Sequence, residues 1–195
     1  MSPSFPAEPV IPHVADAIAA HRRVWVVQWL QPSVVMPYLE AEGGDFRRVI
    51  RREVPTGAEY AAEYPAEPLV TAALYERPDL DGTPVTFGDL FALHDVVLPG
   101  ALPPGGRLHV DLWWEALAPP PLDYSVGVFL LDAGGVTVAE HQGPPGDRPT
   151  TAWEAGEPVF DRHTLALPPD LPPGTYAVAL TGYWYGDLEP LPANG

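Results

Sequence analysis

The sequence predicts an α+β protein that is mainly β, with a C-terminal antiparallel β-sandwich of immunoglobulin or jelly-roll type preceded by a small α/β segment. Three observations predict it. The 195 residues include 27 prolines and 18 glycines, too many for a helical protein and suited to short strands with frequent turns. Helical periodicity is confined to roughly the first 77 residues. Beyond them, short alternating apolar runs recur between Pro/Gly clusters at sandwich-like intervals. The boundary is placed in "ERPDLDGTP", dividing the chain into residues 1–77 and 78–195.

In the first segment a Pro-rich lead is followed by "HVADAIAAHRR", where Val14, Ile18 and the alanines recur at helical spacing. The continuous β-branched run "VWVVQWL" then reads as a buried strand. "SVVMPYLEAEGG" is expected to be a short helix interrupted by Pro37 and stopped at Gly43 and Gly44, with a strand in "DFRRVIRREV". A polar stretch over 55–68 leads to another strand in "PLVTAALYER". The segment therefore reads as a fragment of an α/β layer.

In the second segment, "RLHVDLWWEAL" puts Leu108, Val110, Leu112, Trp114 and Ala116 on one face and His109, Asp111, Trp113 and Glu115 on the other. "DYSVGVFLLDAGGVTVAEHQ" is a hairpin turning at Asp132–Gly135, and its first arm, apolar on both faces, should be a central strand. "EPVFDRHTLALP" alternates from Val159 through Asp161, His163, Leu165 and Leu167. "TYAVALTGYWY" groups Tyr176, Val178, Leu180 and Trp184. With one strand in 84–98, about six strands are expected. The stretches "LPPGGRLHVDL" and "LPPGTYAVAL" start their strands by one device, prolines fixing φ before a glycine turns the chain.

Composition excludes several functions. A net charge of −16, with every basic residue an arginine, repels phosphate backbones, so nucleic acid is not expected as a partner. The run Arg47, Arg48, Arg51 and Arg52 reads as a solvated face. Without cysteine there are no disulfides, thiolate nucleophiles or Cys-ligated metals. The N-terminus lacks a signal-peptide pattern, and no apolar run is long enough to span a bilayer, so the chain as written reads as soluble.

Motifs for chemistry are also missing. The histidines show no HxH, HxxxH or HExxH spacing, no GxSxG elbow exists, and no glycine-rich phosphate loop has the required spacing. Neither a metal nor another cofactor is expected, and no residue is assigned a catalytic role. Asp161 and His163 share one side of a strand, where they can pair, ligate or sit unconnected at the surface; an enzyme built on them requires a cleft. Trp113, Trp153, Tyr183 and Tyr185 fall on expected outer faces or in loops, and are the candidate ligand-binding residues, as a platform for sugar rings or as ordinary sandwich filling.

The order of these motifs carries a resemblance. "LPPGGRLHVDLWWEALAPPPLDYSVGVFLLDAGGVTVAEHQGPP", followed by "PTTAWEAGEPVFDRHTLALPPDLPPGTYAVALTGYW", resembles the soluble C-terminal β-sandwich region of bacterial protein-mannosyltransferase-like membrane glycosyltransferases. The resemblance covers residues 84–185, and "IAAHRRVWVVQWL" with "DFRRVIRREV" is more weakly similar to the extracytoplasmic α/β region before that sandwich. It implies an extracytoplasmic, noncatalytic accessory module of a membrane glycosyltransferase, a scaffold or a glycan or acceptor recognition domain, because that family's catalytic part lies among membrane helices that this chain does not contain. With no signal peptide or anchor in view, the cytoplasm stays open as a location. The alternative is a free-standing carbohydrate-binding module using exposed aromatics. The family's sandwich continues beyond "GYW" with one more strand, so the shorter ending "GDLEPLPANG" is expected to leave a strand edge open to pairing with another chain.

Overall fold

The computed structural model describes residues 10–28, 35–41, 46–55, 57, 69–101 and 103–195, and the chain divides into two compact units, Met1–Pro78 and Asp79–Gly195. Among the described residues no helix is long and apolar enough to cross a membrane.

The first unit contains helix α1 (Val10–Ile18), strand β1 (Arg23–Gln28), helix α2 (Val35–Ala41) and strands β2 (Arg47–Pro55) and β3 (Leu69–Glu76). The strands form an antiparallel sheet in the order β1-β3-β2. One face is core, where Val26, Ala73 and Tyr75 meet Met36 and Leu39 of α2, with Phe46 beside them. On β1 only Val24 and Val26 turn inward, while Trp25 and Val27 are 57% and 67% exposed. The expected buried strand is thus half-buried: among the described residues, the packing shown lies on a single face. Pro37 does not interrupt α2: it is the third residue, in the first turn, where a backbone N–H has no intrahelical partner to lose. The expected stop at Gly43 and Gly44 and the polar stretch 58–68 lie outside the described residues.

The second unit is all β: β4 (Val85–Phe87), β5 (Phe91–Val97), β6 (Arg107–Ala116), β7 (Tyr124–Leu131), β8 (Thr137–Gly143), β9 (Pro158–Ala166), β10 (Ala177–Trp184) and β11 (Ala193–Asn194), with a short helical turn at Thr150–Ala152. A five-stranded antiparallel sheet, β11-β4-β5-β6-β9, faces a three-stranded one, β10-β7-β8. The alternation in β6 works as expected: Leu108, Val110, Leu112, Trp114 and Ala116 enter the core with Val126, Val128 and Leu130 of the central strand β7. Fully burying each such aliphatic side chain contributes about 1.5–3 kcal/mol. The hairpin turn forms where the sequence puts it, with Asp132 Oδ1 accepting from the Gly134 and Val136 amides and Gly135 at φ +79°.

Two elements differ from the sequence reading. Residues 84–98 are two strands rather than one, because Gly88 at φ +57° turns the chain between them. "GDLEPLPANG" closes the sandwich instead of leaving it short. Leu191 N–H donates to Gly182 C=O of β10 at 2.8 Å, Gly88 N–H to Pro192 C=O at 2.7 Å, and Ala193–Asn194 pair with β4. Residues 187–194 therefore form a strap across one side of the sandwich, with the Leu191 side chain packed between Gly88 and Gly182.

The Pro-Gly device before β6 meets the "LPPD" stretch that follows β9. Gly105 N–H donates to Pro168 C=O at 3.0 Å and Leu167 N–H to Gly106 C=O at 2.9 Å, so the turn before β6 and the turn after β9 brace each other at one end of the sandwich.

Candidate functional site

Strand β9 sends Val159, Asp161, His163 and Leu165 inward. Asp161 is buried, and its carboxylate is fully employed: Oδ2 accepts from His163 Nε2 at 2.9 Å and from Trp114 Nε1 at 3.3 Å, and Oδ1 accepts from the Gly146 amide at 3.1 Å. Gly146 has φ +73°, which aims its N–H at the carboxylate, and a Cβ there would lie 2.9 Å from Val159 Cγ1. Glycine is the residue that meets both demands.

The network continues to the surface. His163, 1% exposed, has its Nδ1 2.8 Å from Nδ1 of His141 on β8, with the rings edge-on at 4.9 Å. His141 itself is exposed. Since His163 Nε2 faces a carboxylate it carries the proton there, so its Nδ1 accepts from His141 when neutral and donates to it when charged. One N···N contact holds one proton. The row Trp114, Asp161, His163, His141 thereby joins β6 and β9 of one sheet to β8 of the other and fills the seam where the two sheet edges meet with satisfied polar groups.

The row runs from the exposed imidazole of His141 to the buried carboxylate of Asp161, and two of the carboxylate's donors, Gly146 and Trp114, line hollows in the surface and core. An open cleft of about 320 Å³ is lined by Asp123, Pro144, Asp147, Arg148 and Thr150 among others, and a smaller apolar cavity by Phe87, Phe91, Trp114 and Trp153 among others. Neither has Asp161 or His163 in its wall. Of the three arrangements the spacing of Asp161 and His163 leaves open, pairing is the one realised, and among the described residues no three His, Asp or Glu side chains are placed to hold a metal ion.

The aromatic candidates do not share a surface. Trp113, expected on a wet outer face, is 1% exposed and lies with its ring 5.1 Å from Phe160, between the Arg162–Asp111 and His94–Glu115 pairs. Trp153, expected in an open loop, is 3% exposed; the helical turn at 150–152 tips it between the sheets, edge-on to Phe91 at 5.6 Å. Both indoles gain more from burying their large apolar area than from solvating one N–H, and neither Nε1 finds a partner among the described residues. Tyr183 is half-buried and donates its hydroxyl to Gln142 Oε1 at 2.9 Å, leaving Tyr185, 68% exposed, as the only open ring of the group. The chain matches no known protein family, curated protein or solved structure.

Sequence reasoning put Asp161 and His163 on one side of a strand with pairing, ligation and an unconnected surface placement all open, and missed their burial and the parts of His141, Trp114 and Gly146. Counting back from the Asp132–Gly135 turn sets Glu140 opposite Val128; a register shift between Leu130 and Leu131 brings His141 there instead, so no sequence signal marked it. No sequence signal marks Gly146, whose role depends on a loop conformation.

Proposed function

We propose that the chain is a noncatalytic accessory β-sandwich module that works beside a membrane glycosyltransferase outside the cytoplasm, as a scaffold or in acceptor recognition. The observation that carries the reading is where the residues of the ordered motifs fall. The Pro-Gly turn before β6 is braced against the turn after β9, Trp114, Ala116, Val128 and Leu130 are core, and Asp161 with His163 is a buried pair with its bonding capacity taken up inside the protein. Motifs of this kind specify an architecture, and an accessory role is read from the resemblance rather than from the fold.

The test is co-expression with a membrane glycosyltransferase of the resembled class whose own soluble tail has been removed. Recovery of the chain with the enzyme in detergent, together with raised transferase activity, is the expected outcome. An enzyme neither bound nor affected by the chain removes the proposal. The carbohydrate-binding alternative retains Tyr183 and Tyr185 but loses Trp113 and Trp153 as stacking surfaces. Calorimetry with oligosaccharides and polyprenyl-phosphate sugars, repeated on Tyr185→Ala, decides between recognition and scaffolding.

A further inference from the structure

Strand β10 is an edge of the three-stranded sheet, and its free side is only partly taken up by the strap. Leu191 N–H bonds Gly182 C=O, and Leu188 N–H bonds Trp184 C=O at 2.9 Å, so the backbone groups of Gly182 and Trp184 point away from β7. Backbone direction alternates along a strand, and β10 pairs with β7 without a bulge, so the N–H and C=O of Val178 and Leu180 also point outward. No backbone partner meets them there among the described residues. The stretch Ala177–Thr181 carries none of the devices that blunt an edge, neither charge nor proline nor bulge.

We propose that this edge pairs with the same edge of a second copy of the chain, antiparallel about a two-fold axis at Ala179. The stretch "AVALT" is self-complementary in that register. Val178 of one copy faces Leu180 of the other as a hydrogen-bonded pair, each donating and accepting, and the symmetry repeats the pair on the other side of the axis. Ala179 meets its own copy at a pair without hydrogen bonds, where Cα atoms approach to about 4.5 Å and a small side chain fits. Ala177 meets Thr181. Val178 and Leu180, half-buried at the rim of the core, cover each other across the junction. The Leu191 bond ends the pairing at Gly182, and two three-stranded sheets become one. The pairing is independent of the glycosyltransferase proposal.

Two copies of net charge −16 repel, so the contact is weak at low salt and strengthens as salt is raised from about 0.05 to 0.5 M, opposite to a charge-driven interface. The experiment is sedimentation equilibrium on the whole chain across that range, with amide hydrogen exchange at dilute and high concentration. A monomer–dimer equilibrium favoured by salt is expected, with concentration-dependent protection of the Val178 and Leu180 amides. Ala179→Lys lowers the repulsion between whole molecules yet sets two ammonium groups face to face on the axis. It should weaken the dimer at least about tenfold, whereas Ala133→Lys in the exposed hairpin turn should not. A monomer at every concentration overturns the proposal, as does a dimer that leaves the Val178 and Leu180 amides exchanging freely. The exchange measurement on the unmodified chain decides even where Ala179→Lys fails to fold.

Discussion

The Asp161 carboxylate gathers three donors from three parts of the chain, which makes it the most consequential single polar group in the sandwich. Asp161→Ala leaves His163 Nε2, Trp114 Nε1 and the Gly146 amide without their acceptor and is expected to cost about 3–5 kcal/mol. His141→Ala removes only the solvent end of the row and is expected to cost about 1 kcal/mol or less. Urea unfolding of both variants checks the ranking, and equal losses would show the exposed imidazole to be as structural as the buried one. In the first unit Tyr75 donates its hydroxyl to Glu40 Oε1 at 2.9 Å and is pushed up from 10.0 to about 12, first by burial and then by the hydrogen bond to and charge of Glu40. A phenol whose folded pKa lies above its unfolded value stabilises fully below pH 10, and that stability is lost as pH rises through 12. Tyr75→Phe should therefore lack an alkaline loss of about 2–3 kcal/mol that the parent chain shows over this window. Denaturant midpoints at pH 9 to 12 measure the difference.

At the scale of elements, the strands that were legible were those whose alternation matches a two-layer core. β6 and β9 declare their inward faces because each has apolar residues at every second position, with Asp161 and His163 substituting in phase. β7 declares itself central because both its faces are apolar and it has a neighbour on each side. β1 misled for a physical reason: "VWVVQWL" is apolar at every position but Gln28, yet among the described residues its packing partners lie on one face. β11 was illegible, since two residues show no period, and its pairing depends on β4, more than a hundred residues away. The same cause hid the fate of Trp113 and Trp153, whose burial is decided by tertiary neighbours and not by local pattern. The strap gives the element-scale prediction. Deleting residues 188–195 removes Leu191 from its place between Gly88 and Gly182 and uncovers the rim of Phe87. A stability loss of about 2–4 kcal/mol is expected, by analogy with removal of a buried leucine. An unchanged unfolding midpoint would make the strap ornamental.

For the molecule as a whole, each unit has its own buried apolar cluster, one centred on Tyr75, Phe46 and Leu39, the other on Trp114, Val110, Val128 and Leu165. Residues 79–195 are accordingly expected to fold alone, in one cooperative transition. Far-UV and tryptophan signals should change together, because Trp113, Trp114 and Trp153 are buried in that unit. Non-coincident transitions would show that the sandwich leans on residues outside it. The strap also has a consequence for how the molecule comes into being. The hydroxyl of Thr86 on β4 bonds the carbonyl of Asn194, a separation of 108 residues, so one of the earliest strands of the sandwich to leave the ribosome waits for one of the last. Closing so long a loop is entropically slow and happens after the local hairpins have formed. Through that interval Phe87 and the β4 edge stand open, which makes the newborn chain, rather than the finished one, the form most exposed to aggregation and most in need of a chaperone.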